Sequence, residues 1–180
     1  MRNIVVATIR RWNLRNAAAL KRALKGSVKV HVVEKPSLLT GQYLRKIRPE
    51  YVFFPHWSWL IPEGIYSNYE CVVFHMTDLP FGRGGSPLQN LILRGLRRTK
   101  VTALRAARDL DAGPVYMKAP VTMDGTAQEI YERVSAVVQT AVLSVSAITG
   151  VVLIVGYPVL KLVLGWVIPA ASLSLALSIL

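Results

Sequence analysis

The sequence predicts an α/β fold, a Rossmann-like and mostly parallel sheet flanked by helices, followed by a hydrophobic C-terminal tail. Short β-branched runs alternate with helical segments of about ten residues, which is typical of βαβ units. The first run, Ile4–Ile9, has no polar alternation, and this indicates a strand buried on both faces. Charged residues are concentrated before residue 135, since Lys161 is the only one from Ser135 to Leu180. We therefore predict a fold-bearing domain over residues 1–134 and a separate apolar segment over residues 135–180.

Composition excludes several classes of protein. Apolar residues make up 52% of the 180, and the mean hydropathy is +0.37, so the chain is neither disordered nor collagen-like. Cys71 is the only cysteine, which excludes an internal disulfide framework and a multi-cysteine metal site. A formal charge of +12 is compatible with an anionic partner or with a solvated basic surface. No cleavable signal peptide is visible at the N-terminus, so we expect a cytoplasmic protein.

The first half of the chain predicts four strands and two helices. The strands are β-branched or aromatic runs at Ile4–Ile9, Val28–Val33, Tyr51–Phe54 and Cys71–Phe74. Leu20 and Leu24 lie four residues apart in a basic, alanine-rich stretch, which predicts a helix over residues 16–25 that ends at Gly26. A second helix is expected over residues 41–47, before Pro49.

The second half predicts two further helices and at least one strand. Ser86-Pro87 is typical of a helix start, with serine as N-cap and proline as first helical residue, and Arg94, Arg97 and Arg98 on its solvent side. Residues 102–108 fit strand or helix, and residues 115–121 predict a strand that Pro120 interrupts. Thr126 and Glu129 have the spacing of a capping box, so a helix should begin there.

Two segments are candidates for chemistry, because α/β sheets bind ligands at the carboxyl ends of their strands. His75 directly follows the fourth predicted strand and precedes a loop with Gly82, Gly84 and Gly85, which could clamp an anion or simply connect strand to helix. Asp111 precedes Gly113-Pro114, a pattern that is most often a turn. Beside a histidine, however, a carboxylate could orient the imidazole for acid–base chemistry.

The stretch from Cys71 to Lys118 resembles the N-terminal catalytic domain of the folate-dependent formyltransferases. In that family a strand ends in Asn-x-His, and Leu-Pro, Arg-Gly and Asp-x-Gly motifs follow. This chain has the corresponding motifs in the same order, at His75, Leu79-Pro80, Arg83-Gly84 and Asp111-Ala112-Gly113. The resemblance implies that His75 assists the formyl carbonyl and that Asp111 positions this histidine and helps to move protons from the attacking amine.

The resemblance also implies the substrates. The formyl donor is 10-formyltetrahydrofolate, and the expected folate-binding residues are Trp57, Trp59, Leu60, Ile61 and Pro62. The acceptor is a primary amine, for which Thr77, Arg83, Gly84 and Gly85 are the expected contacts. We expect no metal, and a small, nucleotide-linked amine is favoured over tRNA, since no residues remain for a second tRNA-holding domain.

One position departs from the family pattern. Val73 stands where the family has the asparagine two residues before the histidine, and valine offers no donor to an oxyanion. Losing one such donor typically costs on the order of 10²–10³ in rate. The alternative function is therefore a degenerate, non-catalytic formyltransferase-like binding protein, attached to a membrane if its tail inserts.

The tail leaves several alternatives open. Two apolar blocks, at about residues 141–160 and 162–180, are each near the ~20 residues that span a bilayer. They fit a transmembrane hairpin, an aberrant terminus from a truncated or frame-shifted gene, or a buried helix.

A cluster of basic residues precedes the tail and fits either a solvated helix face or contacts to a phosphate-bearing acceptor. Its members are Arg94, Arg97, Arg98, Lys100, Arg105 and Arg108.

Overall fold

A computed structural model describes residues 1–151, with side chains through residue 146. Within this range six strands form one sheet: β1 (Arg2–Ala7), β2 (Val28–Val33), β3 (Tyr51–Pro55), β4 (Cys71–His75), β5 (Arg98–Arg105) and β6 (Val115–Thr122). The α-helices of the same range are α1 (Arg11–Ala23), α2 (Gly41–Ile47), α3 (Glu63–Tyr66), α4 (Pro87–Leu93) and α5 (Ala127–Val151). A 3₁₀ turn, Pro36–Leu38, precedes α2.

The sheet is mixed, with the strand order β2-β1-β3-β4-β5-β6. The first four strands in this order are parallel, and β5 and β6 are antiparallel to their neighbours. Apolar residues of α1, α4 and α5 pack on one face, and those of α2 and α3 pack on the other. This arrangement confirms the predicted Rossmann-like α/β class, including burial of β1 on both faces, where Ile4 and Val5 have no exposed surface.

Element boundaries follow the sequence prediction most closely where a local signal marks them. β2 and α2 have the predicted bounds, and Thr40 caps α2 by accepting a hydrogen bond from the Tyr43 amide. α1, in contrast, begins at Arg11 rather than at residue 16, because its N-cap, Arg10, makes no side-chain capping bond that the sequence could signal. β1 ends at Ala7 rather than at Ile9.

The predicted solvent face of α4 is wrong, because the helix ends at Leu93. Gly95 adopts a φ of 66°, and its amide donates to the carbonyl of Ile92 while the Leu96 amide donates to that of Leu91. This pair of bonds is a Schellman motif, which a residue without a Cβ favours. The basic cluster is therefore not a helix face, since Arg98, Lys100 and Arg105 belong to β5.

The ambiguous and interrupted segments are both strands. Residues 98–105 form β5, which pairs with β4 and β6. β6 continues through Pro120 without interruption. It is an edge strand, where a residue that cannot donate a ladder hydrogen bond is tolerated.

The capping box predicted at Thr126 is present. The Glu129 amide donates to Thr126 Oγ1 at 3.3 Å, and the Thr126 amide donates to Glu129 Oε2 at 2.7 Å. α5 then runs through Val151, across the boundary predicted between residues 134 and 135, and buries Val138, Ala141 and Val142 in the core. Of the two apolar blocks predicted at about residues 141–160 and 162–180, residues 141–151 belong to α5, and the part from residue 152 onward lies outside the described residues.

Thr126→Ala is expected to lower the free energy of unfolding by about 1 kcal/mol, because the Glu129 amide loses the hydroxyl oxygen that caps it and the Glu129 carboxylate loses its bond from that hydroxyl. The melting temperature should fall by roughly 2–4 °C. Backbone and side-chain hydrogen bonds from Thr126 lower the pKa of Glu129, so the contribution of its carboxylate to the box is present above that carboxyl's ordinary pKa and is lost as pH falls through the lowered value. Thr140→Ala, an exposed threonine of the same helix, is the control and should change the melting temperature much less; equal effects would contradict the capping role.

Membrane contact was a further expectation for residues 141–180. None of the helices that the structure describes has the length and apolar character needed to cross a membrane.

Candidate active site

A cleft of about 630 Å³ opens where β3 and β4 end. Its walls come from the strand ends, the glycine loop after β4, the segment after β3 and the β5–β6 connection. A volume of this size is typical of small-molecule sites, which range over roughly 300–1,000 Å³. Within the cleft the histidine and aspartate singled out from the sequence come together.

His75 and Asp111 form a close, buried pair. His75 Nδ1 lies 3.3 Å from Asp111 Oδ2, and the two side chains are only 6% and 8% exposed. The same carboxylate oxygen accepts a hydrogen bond of 3.0 Å from the Gly84 amide. The family resemblance implies this contact between an imidazole and a carboxylate whose residues lie thirty-six positions apart in the chain.

The β5–β6 connection brings Asp111 to the histidine by an indirect route. β5 runs antiparallel to β4, so β5 ends beside the start of β4, where the Ala106 amide donates to the Cys71 carbonyl at 2.8 Å. From there the connection folds back toward His75, and Asp111 adopts a φ of 51°. Gly113 makes this turn possible, because a Cβ on it would lie 1.9 Å from the Arg105 carbonyl oxygen.

The other ring nitrogen of His75 is also occupied. Nε2 lies 2.7 Å from the Gly82 carbonyl oxygen, which only accepts hydrogen bonds, so Nε2 donates. Nδ1 faces a carboxylate. Both ring nitrogens therefore lie beside oxygen atoms, which fixes the orientation of the ring in the cleft.

Contacts from β5 and β6 hold the loop after β4 in place. Thr102 Oγ1 donates to the Thr77 carbonyl at 2.6 Å. Lys118 Nζ donates to Asp78 Oδ1 at 2.6 Å and also bonds the Leu79 carbonyl, while Lys100 pairs with the same carboxylate. Hydrogen bonds from the two lysines lower the pKa of Asp78. Sequence reasoning missed these lysines, because no local pattern links a strand residue to a loop forty positions away.

Most of the residues expected to bind folate line the cleft. Trp57, Trp59, Leu60 and Ile61 all do so, whereas Pro62 does not and instead precedes α3 as its N-cap. The ring of Trp57 packs edge-on against Phe54 and Trp59, with centroid distances of 5.8 and 5.1 Å. The buried Trp57 Nε1 has no hydrogen-bond partner among the described residues.

The four residues expected to contact the acceptor divide into two groups. Gly84 and Gly85 line the cleft, as expected. Arg83 is exposed and lies outside the lining. Thr77 is completely buried, with its hydroxyl 3.4 Å from the Gly82 carbonyl, so it supports the loop instead of facing the cavity.

α4 begins at Pro87 with Ser86 as its N-cap residue, as predicted, but the serine side chain does not cap the helix. Ser86 has a φ of 53° and makes no side-chain capping bond. The sequence left open whether the loop before it offers amides to an anionic ligand or simply connects strand to helix. In the structure the Gly84 amide binds an anion of the chain itself, the Asp111 carboxylate.

Val73 also lines the cleft, two residues before His75 on the same face of β4. A side chain at this position therefore faces the space beside the His75–Asp111 pair.

Several lining residues were not predicted as site residues. Arg10 directly follows the β1–α1 turn, and Gln89 and Tyr131 come from α4 and α5. The rule that ligands lie at strand ends could have indicated Arg10, but nothing in the sequence indicates the two helical residues. No group of three His, Cys, Asp or Glu side chains suited to a metal ion occurs in the described part of the chain.

Fold and site together define a Rossmann-like α/β domain that carries a buried histidine–aspartate pair at its strand ends. The family model for formyl transferase matches residues 3–146. The chain therefore belongs to the formyl transferase family, as the motif order predicted.

Curated relatives agree with this assignment. The chain is 31% identical to methionyl-tRNA formyltransferase of Thermotoga maritima over 85 residues, which are 46% of this chain and 27% of that protein. It is 29% identical to the Rickettsia felis protein of the same name over 98 residues, which are 52% and 32%. The chain thus spans about a third or less of the length of these relatives.

Solved structures show the same fold. Methionyl-tRNA formyltransferase from Clostridium thermocellum superposes with a TM-score of 0.78 and 41% identity, over 83% of this chain and 65% of that one. HypX from Aquifex aeolicus, in a complex with tetrahydrofolic acid, superposes with a TM-score of 0.66 and 23% identity, over 82% and 27%. At that identity the second likeness concerns the fold alone.

Proposed function

We propose that the protein transfers a formyl group from 10-formyltetrahydrofolate to a primary amine. The observation that carries this proposal is the buried His75–Asp111 pair inside a ligand-sized cleft of a formyl transferase domain. The acceptor is either a small amine, such as an amino-sugar nucleotide, or an aminoacyl-tRNA.

In the proposed reaction the acceptor nitrogen attacks the formyl carbon, and the carbonyl oxygen becomes an oxyanion. His75, with an N–H on Nε2, donates a hydrogen bond to that oxygen once the Gly82 carbonyl gives way. Asp111 holds the ring from the Nδ1 side and takes part in removing the proton that the amine loses. The bond from the formyl carbon to the folate nitrogen then breaks, and that nitrogen gains a proton.

The folate would lie against the segment after β3. The indole rings of Trp57 and Trp59 offer flat apolar surface to a fused ring system, and the free Trp57 N–H offers a donor. HypX, which shares the fold, has been seen with tetrahydrofolic acid, and this supports a folate ligand in the same architecture.

Turnover tests the proposal directly. Purified protein is incubated with 10-formyltetrahydrofolate and a panel of amines that includes amino-sugar nucleotides and methionyl-tRNA, and release of tetrahydrofolate is followed. Formylation of at least one amine is the expected result. Failure with every amine, together with no measurable folate binding, would end the proposal.

Trp57→Ala is expected to raise the dissociation constant for tetrahydrofolate about tenfold or more, because the cleft loses a large aromatic surface and a ring donor. Isothermal titration calorimetry measures the change. Leu93→Ala is the control, since this side chain is 85% exposed and lies outside the cleft lining. Equal affinity of Trp57→Ala and the unaltered protein would place the folate elsewhere.

Val73 favours a second candidate, a non-catalytic protein that keeps the folate-binding cleft. Valine has no polar atom, although its side chain occupies the place beside His75 where the family offers an amide. This candidate predicts folate binding without turnover, and no functional effect of His75→Ala.

A further inference from the structure

A second histidine occupies a specialised position next to the catalytic pair. His56 directly follows Pro55, the β3 residue that pairs with Phe74, so it lies beside His75 at the ends of adjacent strands. Its φ is 54°, a conformation that residues with a side chain seldom adopt. Such local strain is concentrated at functional sites, because packing elsewhere must maintain it. Neither the family motif nor the mechanism above uses this residue.

A buried hydrogen-bond network fixes the tautomer of His56. The Asn13 amide nitrogen lies 2.8 Å from His56 Nδ1 and 3.3 Å from the Pro55 carbonyl oxygen, which can only accept. The Asn13 amide oxygen accepts at 2.7 Å from Ser135 Oγ. These partners orient the amide so that its nitrogen donates to Nδ1. The ring proton of neutral His56 is therefore on Nε2.

That Nε2–H has no hydrogen-bond partner among the described residues, although it is shielded from solvent. The rings of Trp12 and Tyr131 flank His56, each with its centroid 6.0 Å away, and the Trp12 indole N–H is a second buried donor without a described partner. Buried donors without a partner are rare, because each loses its bond to water without replacement. Of these two donors His56 belongs to the cleft lining and Trp12 does not, so the His56 N–H is the one that an acceptor atom of a ligand in the cleft would reach.

A positive charge accompanies these donors. Arg10 lines the cleft, and its guanidinium carbon lies 5.8 Å from the centre of the Trp12 ring. It forms no ion pair with a carboxylate in the part of the chain that the structure describes. Burial, and then the charge of Arg10, lower the pKa of His56 to about 4, so the ring is a neutral donor near pH 7.

We propose that Arg10 and His56 form a subsite for an oxyanionic group, a phosphate or carboxylate, of the amine acceptor. This inference rests on the proposed function and specifies its acceptor as an amine that also carries an anion. The guanidinium supplies charge, and the imidazole supplies a directed N–H, a combination that suits an anionic oxygen better than a neutral hydroxyl. Because Nε2 is shielded, a neighbouring side chain must turn aside as the anion enters, and Arg10 is exposed and unpaired within the described residues.

Nuclear magnetic resonance tests the subsite without knowledge of the acceptor. Protein labelled with ¹⁵N at histidine and tryptophan contains three imidazoles and four indoles. Without ligand, His56 should show the Nε2–H tautomer. Inorganic phosphate and acetate are titrated separately at constant ionic strength, and saturable shifts of His56 Nε2 and the Trp12 indole N–H are expected. The anion with the lower dissociation constant identifies the chemical group that the subsite prefers.

Variants distinguish anion binding at this subsite from a general effect of positive charge on the protein. Arg10→Met should raise the dissociation constant of the preferred anion about tenfold or more, as expected for a charged hydrogen bond. Arg11→Met removes the same charge from the neighbouring exposed position, outside the cleft lining, and should leave the constant nearly unchanged. His56→Phe removes the donor and keeps a ring, whereas His56→Asn keeps an amide donor and tolerates positive φ, so Asn should bind more tightly than Phe.

Three results would overturn the inference: an Nδ1–H tautomer, no saturable shift with either anion, or equal weakening by Arg10→Met and Arg11→Met. Tetrahydrofolate binding is measured on the same variants and should not change. If folate binding and turnover are absent while the anion binds as expected, the proposed function fails and the anion site stands.

Discussion

Asp111→Asn is expected to lower kcat/KM for formyl transfer by about 10²–10⁴, the range typical of general acid–base groups. Asparagine keeps the size of the side chain and an oxygen that can accept from the Gly84 amide. It lacks the negative charge that faces His75 Nδ1, and an amide cannot accept the proton that the attacking amine loses. The expected loss is therefore chemical rather than structural, and single-turnover kinetics measure it.

The matched control is Asp109→Asn, an exposed carboxylate two residues earlier. It should keep the activity of the unaltered protein. His75→Ala combined with Asp111→Asn should be little worse than the more damaging single change, because groups that act as a unit are not additive. Full activity of Asp111→Asn in a correctly folded protein would exclude the pair from the reaction.

Val73→Asn is expected to raise kcat on the order of 10²–10³, the effect typical of a single oxyanion donor. The side chain lines the cleft on the face of β4 that carries His75, so an amide there would add the donor that valine lacks. Formylation is measured with the best amine of the panel, and circular dichroism checks the fold.

Val73→Leu controls for size, since leucine approximates the shape of asparagine without its polar atoms. It should give no gain. An unchanged rate for Val73→Asn would indicate that another donor already serves the oxyanion, and the Gly85 amide in the cleft lining would be the next candidate.

Both predictions require that His75 exchange one of its hydrogen-bond partners when substrate binds. In the ligand-free chain the Gly82 carbonyl occupies Nε2, the nitrogen that is proposed to meet the formyl oxygen. The loop that carries Gly82 is tied to β5 and β6 through Thr102 and Lys118. These ties hold the loop against the sheet, and Gly82 itself packs against the Thr77 side chain, whereas the Cβ positions of Gly84 and Gly85 have open space around them.

Local patterns predicted much of the fold. The β-branched runs, the Thr126 capping box and the threonine-capped α2 could be recognised because each depends on residues within a few positions of one another. The predicted bounds of α1 were wrong at both ends, since the helix covers Arg11–Ala23 rather than residues 16–25, and α4 was extended too far at its C-terminal end. α1 lacks a side-chain cap, and α4 stops at Leu93, before all three arginines that were predicted on its solvent side.

Some residues of the candidate site could be predicted from the sequence, and others could not. His75 and most of the Trp57 to Ile61 segment could be named from motif order, and they lie where the cleft is. Thr77 could not be judged from sequence, because its burial depends on β5 and on the fold of its own loop. Arg10, His56 and Tyr131 come from three separate elements, so no local pattern connects them.

The sequence by itself determined the α/β class, the family and the identity of the histidine and the carboxylate, because each can be recognised from short motifs and their order along the chain. Only the tertiary structure decided that the two side chains meet. β5 runs antiparallel and carries the chain to the far end of β4, and the connection that contains Asp111 must fold back across the sheet. This connection places Asp111 Oδ2 3.3 Å from His75 Nδ1. Its course depends on packing between distant segments and on the glycine at position 113.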